Sequence, residues 1–93
     1  MDELRTEIDR LDRLLVRLLS ERQRYIERAA EIKSHRTAVR DEGRIADVMA
    51  KVLAEAKTAG LSPDIAGPVF RTLVECSIAL ELRAFEARLR DRS

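Results

Sequence analysis

Four polar side chains lie where the helical pattern of this sequence predicts apolar ones. Arg22 and Lys33 are eleven residues apart, which at about 100° per residue puts them about 20° apart on one helix face. Ser77 and Glu81 are four residues apart and interrupt an apolar stripe near the end of the chain. Because burial of an uncompensated charge costs several kcal/mol, inward cations need an anionic partner. The pattern predicts a cationic pocket for a small, doubly negative molecule.

Three further polar residues are candidates for the same site. Arg44 is next to the apolar Ile45, and Asp41 precedes it by about one helical turn. Arg5 lies about 100° from Arg22 around the helix axis, so it points elsewhere within one chain. If Arg5 joins the site, we expect it to do so from the second chain of a dimer.

Each candidate also has a purely structural interpretation. Arg22 could extend its charged head past the edge of the core, and Lys33 could favour the negative end of a helix dipole. Ser77 could be a tolerated small core residue, and Glu81 could form a structural salt bridge with Arg44 or Arg22. Taken together, several cations that face one carboxylate and one hydroxyl favour a binding site.

The first element that positions these residues is a long helix, expected from residue 2 to about 34. Its apolar stripe recurs at steps of three and four residues and is interrupted by Arg22. The stripe consists of Leu4, Ile8, Leu11, Leu15, Leu18, Tyr25, Ala29 and Ile32. At about 1.5 Å per residue this helix would be roughly 50 Å long, whereas a compact domain of this size is roughly 32 Å across. Its far end would need cover from a second chain, so we expect a homodimer.

Two more helices are expected, which makes the fold all-α with three helices in a single domain, residues 1–93. A polar connector is predicted over residues 35–40. The second helix is predicted from about residue 41 to 58, with Asp41 at its N-terminus and Gly60 as its C-terminal stop.

The third helix is expected to begin at Pro63 and to run to about residue 88. Ser62 is the predicted N-cap, and Pro63 suits the first helical position because its missing N–H needs no partner there. Gly67 and Pro68 follow within the early turns, so a kink or a separate first turn is predicted.

Composition and charge exclude several functional classes. The 93 residues include 18 Lys and Arg against 17 Asp and Glu, which disfavours a nucleic-acid adaptor that binds by broad electrostatic attraction. No apolar stretch approaches the roughly 18 residues of a membrane helix, and the start of the chain lacks a signal-peptide pattern, so a cytoplasmic location is expected. Cys76 is the single cysteine, so no internal disulfide is expected, and neither a metal nor a cofactor is predicted.

The joint spacing of these residues resembles that of the all-helical chorismate mutase family. The first helix is similar to that family's in Leu4-Arg5-x-x-Ile8-Asp9-x-x-Asp12-x-x-Leu15-x-x-Leu18-x-x-Arg22. The loop and second helix are similar in Lys33, Val39-Arg40-Asp41 and Arg44. The third helix is similar in Phe70, Glu75-Cys76-Ser77-Ile78 and Glu81. The resemblance covers nearly the whole chain.

The resemblance implies a domain-swapped homodimer in which the long first helices pack together and two equivalent sites form. Arg22 and the partner subunit's Arg5 would hold the two substrate carboxylates. Lys33 would bind a carboxylate and the ether oxygen, and Glu81 would contact that oxygen from the other side.

The remaining site residues would hold the ring of the substrate. By resemblance, Arg44 would support the ring-side carboxylate, Ser77 would contact that carboxylate, and Asp41 would hold the ring hydroxyl. The implied reaction is the Claisen rearrangement of chorismate to prephenate, in aromatic amino-acid biosynthesis. It needs no nucleophile, metal or cofactor, because the protein holds the compact conformer and stabilises negative charge on the breaking ether oxygen.

Two positions depart from the family pattern. Glu81 stands where many bacterial members have glutamine, and an ionised Glu81 would repel the developing oxyanion, so we expect it to be protonated. Ile45 stands where many members have a glutamate, and it resembles the isochorismate–pyruvate lyase branch of the fold. A lyase, or a mutase that acts on 4-amino-4-deoxychorismate, therefore remains an alternative. A noncatalytic dimerisation or regulatory module is the alternative from another class.

Overall fold

The computed structural model describes residues 1–92, and helices dominate it. The helices are α1 (Asp2–Ile32), α2 (Glu42–Ala59) and α3 (Pro63–Arg92), with a short 3₁₀ turn at Arg36–Ala38 in the connector. No residue of this described part is in a β-strand. The prediction of an all-α fold with three helices is confirmed.

Helix α1 is one uninterrupted helix of 31 residues that contains neither Gly nor Pro. Asp2 and Glu3 lie in its first turn, where the positive end of the helix dipole favours carboxylates. At about 1.5 Å per residue the helix is about 46 Å long, and the molecule measures 55 × 27 × 15 Å. The large apolar side chains of its N-terminal half are exposed in the single chain: Leu4, Ile8, Leu11, Leu14, Leu15, Val16, Leu18 and Leu19.

The inward face of the C-terminal half of α1 differs from the predicted stripe. Tyr25 and Ile32 were expected to face inward, but they are 69% and 76% exposed. Ala30 is buried instead, and Ile26 and Ala29 are half-buried. At about 100° per residue, Tyr25 and Ile32 lie about 40° and 60° to one side of Ala29, whereas Ile26 and Ala30 lie on its other side. The inward face is therefore rotated from the predicted stripe toward Ile26 and Ala30.

Helix α2 has both of its predicted boundaries. Asp41 Oδ1 accepts a hydrogen bond from the Arg44 backbone N–H at 3.0 Å, so Asp41 is the N-cap. Gly60 ends the helix with a φ of 77°, a left-handed conformation that glycine adopts without a Cβ clash. The Leu61 N–H then donates to the Ala56 carbonyl at 2.8 Å, which satisfies a carbonyl of the last turn.

Helix α3 begins as predicted but is not interrupted. Ser62 Oγ accepts from the Asp64 backbone N–H at 3.1 Å, which confirms Ser62 as the N-cap before Pro63. The prediction of a separate first turn at Gly67 and Pro68 is wrong, because one helix runs through both residues. Pro68 lacks the backbone N–H that would donate to the carbonyl of residue 64. Because residue 64 is exposed, water can donate a hydrogen bond to that carbonyl instead.

Helix α3 is the central element and packs against both α1 and α2. The core is small, with Phe85 as its largest fully buried side chain. Its other buried apolar residues are Ala30, Val39, Met49, Ala56, Ala66 and Val74. Leu53 of α2 is exposed in the single chain. No described helix is both long and apolar enough to cross a membrane.

Candidate active site

A cavity of about 400 Å³ opens between the three helices and the connector. This volume lies within the range of roughly 300 to 1,000 Å³ that is usual for small-molecule sites. Six of the seven predicted site residues line it: Arg22, Lys33, Asp41, Arg44, Ser77 and Glu81. Residues from positions 22 to 81 of the chain therefore meet at one site.

Arg22, from α1, extends across the cavity to α3. Its Nη1 donates to Ser77 Oγ at 2.6 Å, and that hydroxyl donates in turn to the Leu73 carbonyl at 2.7 Å. Burial of the guanidinium and, secondarily, the charge of Arg44 lower the pKa of Arg22 from its usual value. Among the described residues no carboxylate forms a salt bridge with Arg22, so its charge is available to an anionic ligand.

Lys33 and Glu81 form the most buried ion pair of the site. Lys33 Nζ lies 2.7 Å from Glu81 Oε2, and the two side chains are 29% and 6% exposed. Glu81 thus pairs with a lysine, and not with Arg22 or Arg44 as its structural interpretation predicted. The protonated form of Glu81 stays a prediction.

Helix α2 brings Arg44 and Asp41 to the rim of the cavity. The Arg44 guanidinium is largely exposed, and its Nη1 donates to Asp47 Oδ2 at 2.6 Å. Lys51 Nζ donates to the same oxygen at 3.0 Å. The hydrogen bond from Lys51, together with that from Arg44, lowers the pKa of the Asp47 carboxyl. Asp47 thereby orients Arg44, a role that the sequence analysis did not assign.

The connector is fastened to α3 by a charged network beside the cavity. Arg40 Nη1 and Nη2 donate to the two carboxylate oxygens of Glu75, each at 3.0 Å, and its Nε donates to Glu42 at 2.7 Å. These bonds raise the pKa of Arg40, and the guanidinium lowers the pKa of Glu75. The buried Val39 next to this network forms part of the cavity wall.

Arg5 does not line the cavity. It is an exposed residue of the first turns of α1, seventeen residues before Arg22 and therefore about 26 Å away along the helix. Its side chain cannot span that distance within one chain. The role of the partner subunit's Arg5 remains a prediction.

The apolar wall of the cavity is the part that the sequence analysis missed. Its members include Ile26, Val39, Val48, Val74 and Ile78. Three of them could have been identified from the sequence, because Ile26, Val74 and Ile78 lie three or four residues from a polar site residue on the same helix. Val39 could not be identified in this way, since it lies in the connector. Ile45 also lines the cavity.

The arrangement suits a small anion with an apolar body. Three cations, Arg22, Lys33 and Arg44, line the cavity together with two carboxylates, Asp41 and Glu81, so positive charge is in excess. Fixed cations of this kind bind carboxylates and stabilise developing negative charge without proton transfer. Within residues 1–92, no group of three or more His, Cys, Asp or Glu residues is arranged to hold a metal ion.

A family model described as chorismate mutase type II matches residues 4–82, which is most of the chain and includes every predicted site residue. Neither the comparison with curated proteins nor that with solved structures gave a significant match.

Proposed function

The chain belongs to the chorismate mutase type II family, and from this premise we propose that it is a chorismate mutase that converts chorismate to prephenate. The observation that carries the proposal is the Lys33–Glu81 pair in one small-molecule cavity with Arg22, which forms no salt bridge with any residue that the structure describes. We further propose that residues 1–93 act as one catalytic domain. The activity would place the protein in aromatic amino-acid biosynthesis.

The proposed reaction is unimolecular. The C–O bond of the substrate's ether breaks while a new C–C bond forms, and neither a proton nor an electron enters or leaves. Catalysis therefore depends on holding the compact conformer and on stabilising the negative charge that develops on the ether oxygen. Two separated cations can hold the compact conformer, because the substrate carries two carboxylates. A third cation near the ether oxygen can stabilise the negative charge that develops there.

In this proposal, Arg22 binds one substrate carboxylate. Its hydrogen bond to Ser77 fixes the direction of the guanidinium, and the apolar wall excludes water around it. Arg44 supports the ring-side carboxylate. Ser77 contacts that carboxylate by turning its hydroxyl hydrogen from the Leu73 carbonyl toward it. Asp41 holds the ring hydroxyl near the start of α2, where its side chain already caps the helix.

Lys33 is the residue proposed to stabilise the breaking ether oxygen. An ammonium has three donors, so Lys33 can donate to the ether oxygen while it still donates to Glu81. Glu81 in its ionised form would repel the developing charge, whereas protonated Glu81 would add a second hydrogen-bond donor. The active form is therefore proposed to be the one with protonated Glu81.

This proposal predicts a pH dependence that Glu81→Gln should remove. Since protonated Glu81 is the proposed active form, kcat/KM of the wild type should rise as pH falls through the range in which this carboxyl takes up its proton, by at most about tenfold per unit. Glu81→Gln, whose amide donates at every pH, should lack this rise. Identical pH–rate profiles would contradict the role of protonated Glu81, and circular dichroism at each pH controls for unfolding.

Ile45 bears on the identity of the ring substrate, because it lines the cavity where many family members have a glutamate. An apolar side chain there favours two alternatives on the same fold, an isochorismate–pyruvate lyase and a mutase acting on 4-amino-4-deoxychorismate.

A paired substrate assay tests the function directly. With chorismate, we expect loss of its ultraviolet absorbance above the uncatalysed rate, and prephenate as the product. With isochorismate, we expect no release of pyruvate. Faster pyruvate release from isochorismate would instead support the lyase, and preferential turnover of 4-amino-4-deoxychorismate would support the amino-substrate mutase. No turnover of any of the three compounds would favour the noncatalytic dimerisation module.

We also propose that the protein is a domain-swapped homodimer. The support comes from the N-terminal half of α1, whose row of exposed leucines extends far beyond the core of its own chain. Packing of two such helices against each other would bury this row. It would also bring Arg5 of one protomer toward the cavity of its partner.

A further inference from the structure

Arg88 lies beyond the part of the chain that matches the family, yet it contacts the segment that carries Lys33. Its Nη2 donates to the Lys33 carbonyl at 2.8 Å, and its Nη1 donates to the Glu31 carbonyl. The guanidinium carbon lies 4.9 Å from the ring centroid of the buried Phe85. The arginine head is therefore held by two carbonyls and one aromatic face.

The end of α1 requires a partner of this kind. The last four carbonyls of a helix have no donor within the helix, and α1 has no basic residue in its last turn. Lys33 leaves the helix in an extended conformation, with φ −65° and ψ 135°, so its carbonyl points out of the helical pattern. Arg88 supplies two donors and a positive charge to this negative end from a distant part of the chain.

Arg88 is a half-buried residue. Its Nε is buried and has no hydrogen-bond partner among the described residues, so the two Nη donors determine its orientation. A buried donor without a partner costs free energy, and that cost is offset only if the other contacts of Arg88 are favourable.

Helix α3 contacts both the side chain and the backbone of Lys33. Glu81 accepts from the Lys33 ammonium at 2.7 Å, and Arg88 donates to the Lys33 carbonyl at 2.8 Å. Glu81 and Arg88 are seven residues apart, which puts them within about 20° on one face of α3. We propose that Arg88 is a positioning residue, which fixes the backbone of Lys33 so that its ammonium is held at Glu81 and at the reacting ether.

This role rests on the proposed function, because it acts through the catalytic role of Lys33. We expect Arg88→Met, which keeps the aliphatic length and removes the donors, to lower kcat/KM for chorismate by about 10- to 100-fold. The matched control is Arg83→Met, since Arg83 is an exposed arginine on the same helix, and its activity should equal that of the wild type.

A double-mutant cycle separates positioning from general destabilisation. If Arg88 acts through Lys33, Arg88→Met should change kcat/KM by less than about twofold when Lys33 is already alanine. An equal loss in the wild-type and Lys33→Ala backgrounds would overturn the proposal. Measurement well below the unfolding temperature of each variant keeps all four proteins folded.

A second measurement needs no substrate. Loss of the two carbonyl contacts should speed backbone amide hydrogen exchange over residues 30–39 by about tenfold in Arg88→Met, with no change in Arg83→Met. Unchanged exchange in this segment would overturn the positioning role. Accelerated exchange in a protein whose wild type has no mutase activity would support the Arg88 contact and reject the proposed function, so the two failures are distinguishable.

Discussion

Replacing Lys33 with alanine is expected to lower kcat/KM for chorismate by about 1,000-fold, the largest single effect in this protein. The reason is that Lys33 is the cation proposed to stabilise the ether oxygen, and removal of one such donor costs about 100- to 1,000-fold in comparable sites. Loss of a carboxylate contact adds to the effect. The loss of kcat/KM is measured by steady-state kinetics at pH values on both sides of neutrality. A loss of less than about tenfold would contradict this role for Lys33.

The same substitution should also destabilise the fold, because it leaves the buried Glu81 carboxylate without its partner. We expect a loss of about 1–3 kcal/mol in the free energy of unfolding, measured in urea. The double variant Lys33→Met/Glu81→Met removes both charges and should recover most of this stability without recovering activity. Recovery of turnover in the double variant would contradict the catalytic assignment.

A matched control for the stability loss is the salt bridge between Arg36 and Glu86. It also joins the connector to α3, at 3.1 Å, but its side chains are 65% and 42% exposed. Exposed pairs contribute little, so Arg36→Ala should change the free energy of unfolding by less than about 1 kcal/mol. Equal losses in Lys33→Ala and Arg36→Ala would mean that burial of Glu81 does not determine the effect.

Replacing Arg22 with alanine is expected to lower kcat/KM by about 100- to 1,000-fold while the fold remains as stable as the wild type. The loss of activity follows from the loss of a desolvated, charge-assisted contact to a substrate carboxylate. Stability should be kept because Arg22 has no salt bridge among the described residues, and because its burial near Arg44 disfavours its charge. Kinetics and thermal unfolding of one preparation measure both results. Retained turnover would contradict the proposed site.

Mixing two variants of low activity tests whether the site is shared between subunits. We expect Arg5→Ala to be weakly active, because the partner subunit's Arg5 is proposed to complete each site. When Arg5→Ala and Arg22→Ala are unfolded together and refolded as a mixture, half of the dimers should be mixed, and each has one complete site. About a quarter of wild-type activity should return. Each variant refolded alone is the control, and no gain on mixing would contradict a shared site.

The boundaries of α2 and the start of α3 could be predicted because they depend on neighbouring residues only, whereas α3 runs to Arg92 and not to about residue 88 as predicted. Asp41 and Ser62 each accept a hydrogen bond from an N–H two or three residues later, and Gly60 adopts a left-handed turn that its own backbone permits. The inward face of α1 could not be predicted in the same way. Tyr25 and Ile32 continue a regular stripe, but the rotation of α1 against α3 decides which side is buried.

The composition of the candidate site was also largely visible in the sequence. Arg22, Lys33, Ser77 and Glu81 interrupt apolar stripes, and helical periodicity alone puts each pair on one face. The sequence did not show which residues these side chains contact. Lys33 with Glu81, Arg40 with Glu75, and Arg88 with the Lys33 carbonyl each join groups separated by 35 or more residues.

The sequence by itself thus determined three helices, their caps, and a set of charged residues on otherwise apolar helix faces, where burial without a partner would be unfavourable. Only the tertiary structure decided that Lys33 meets Glu81, that Arg22 forms no salt bridge with a described residue, and that Arg88 contacts the end of α1. The physical reason is that helical periodicity relates residues within one helix, whereas the rotation and offset between helices arise from all their contacts at once.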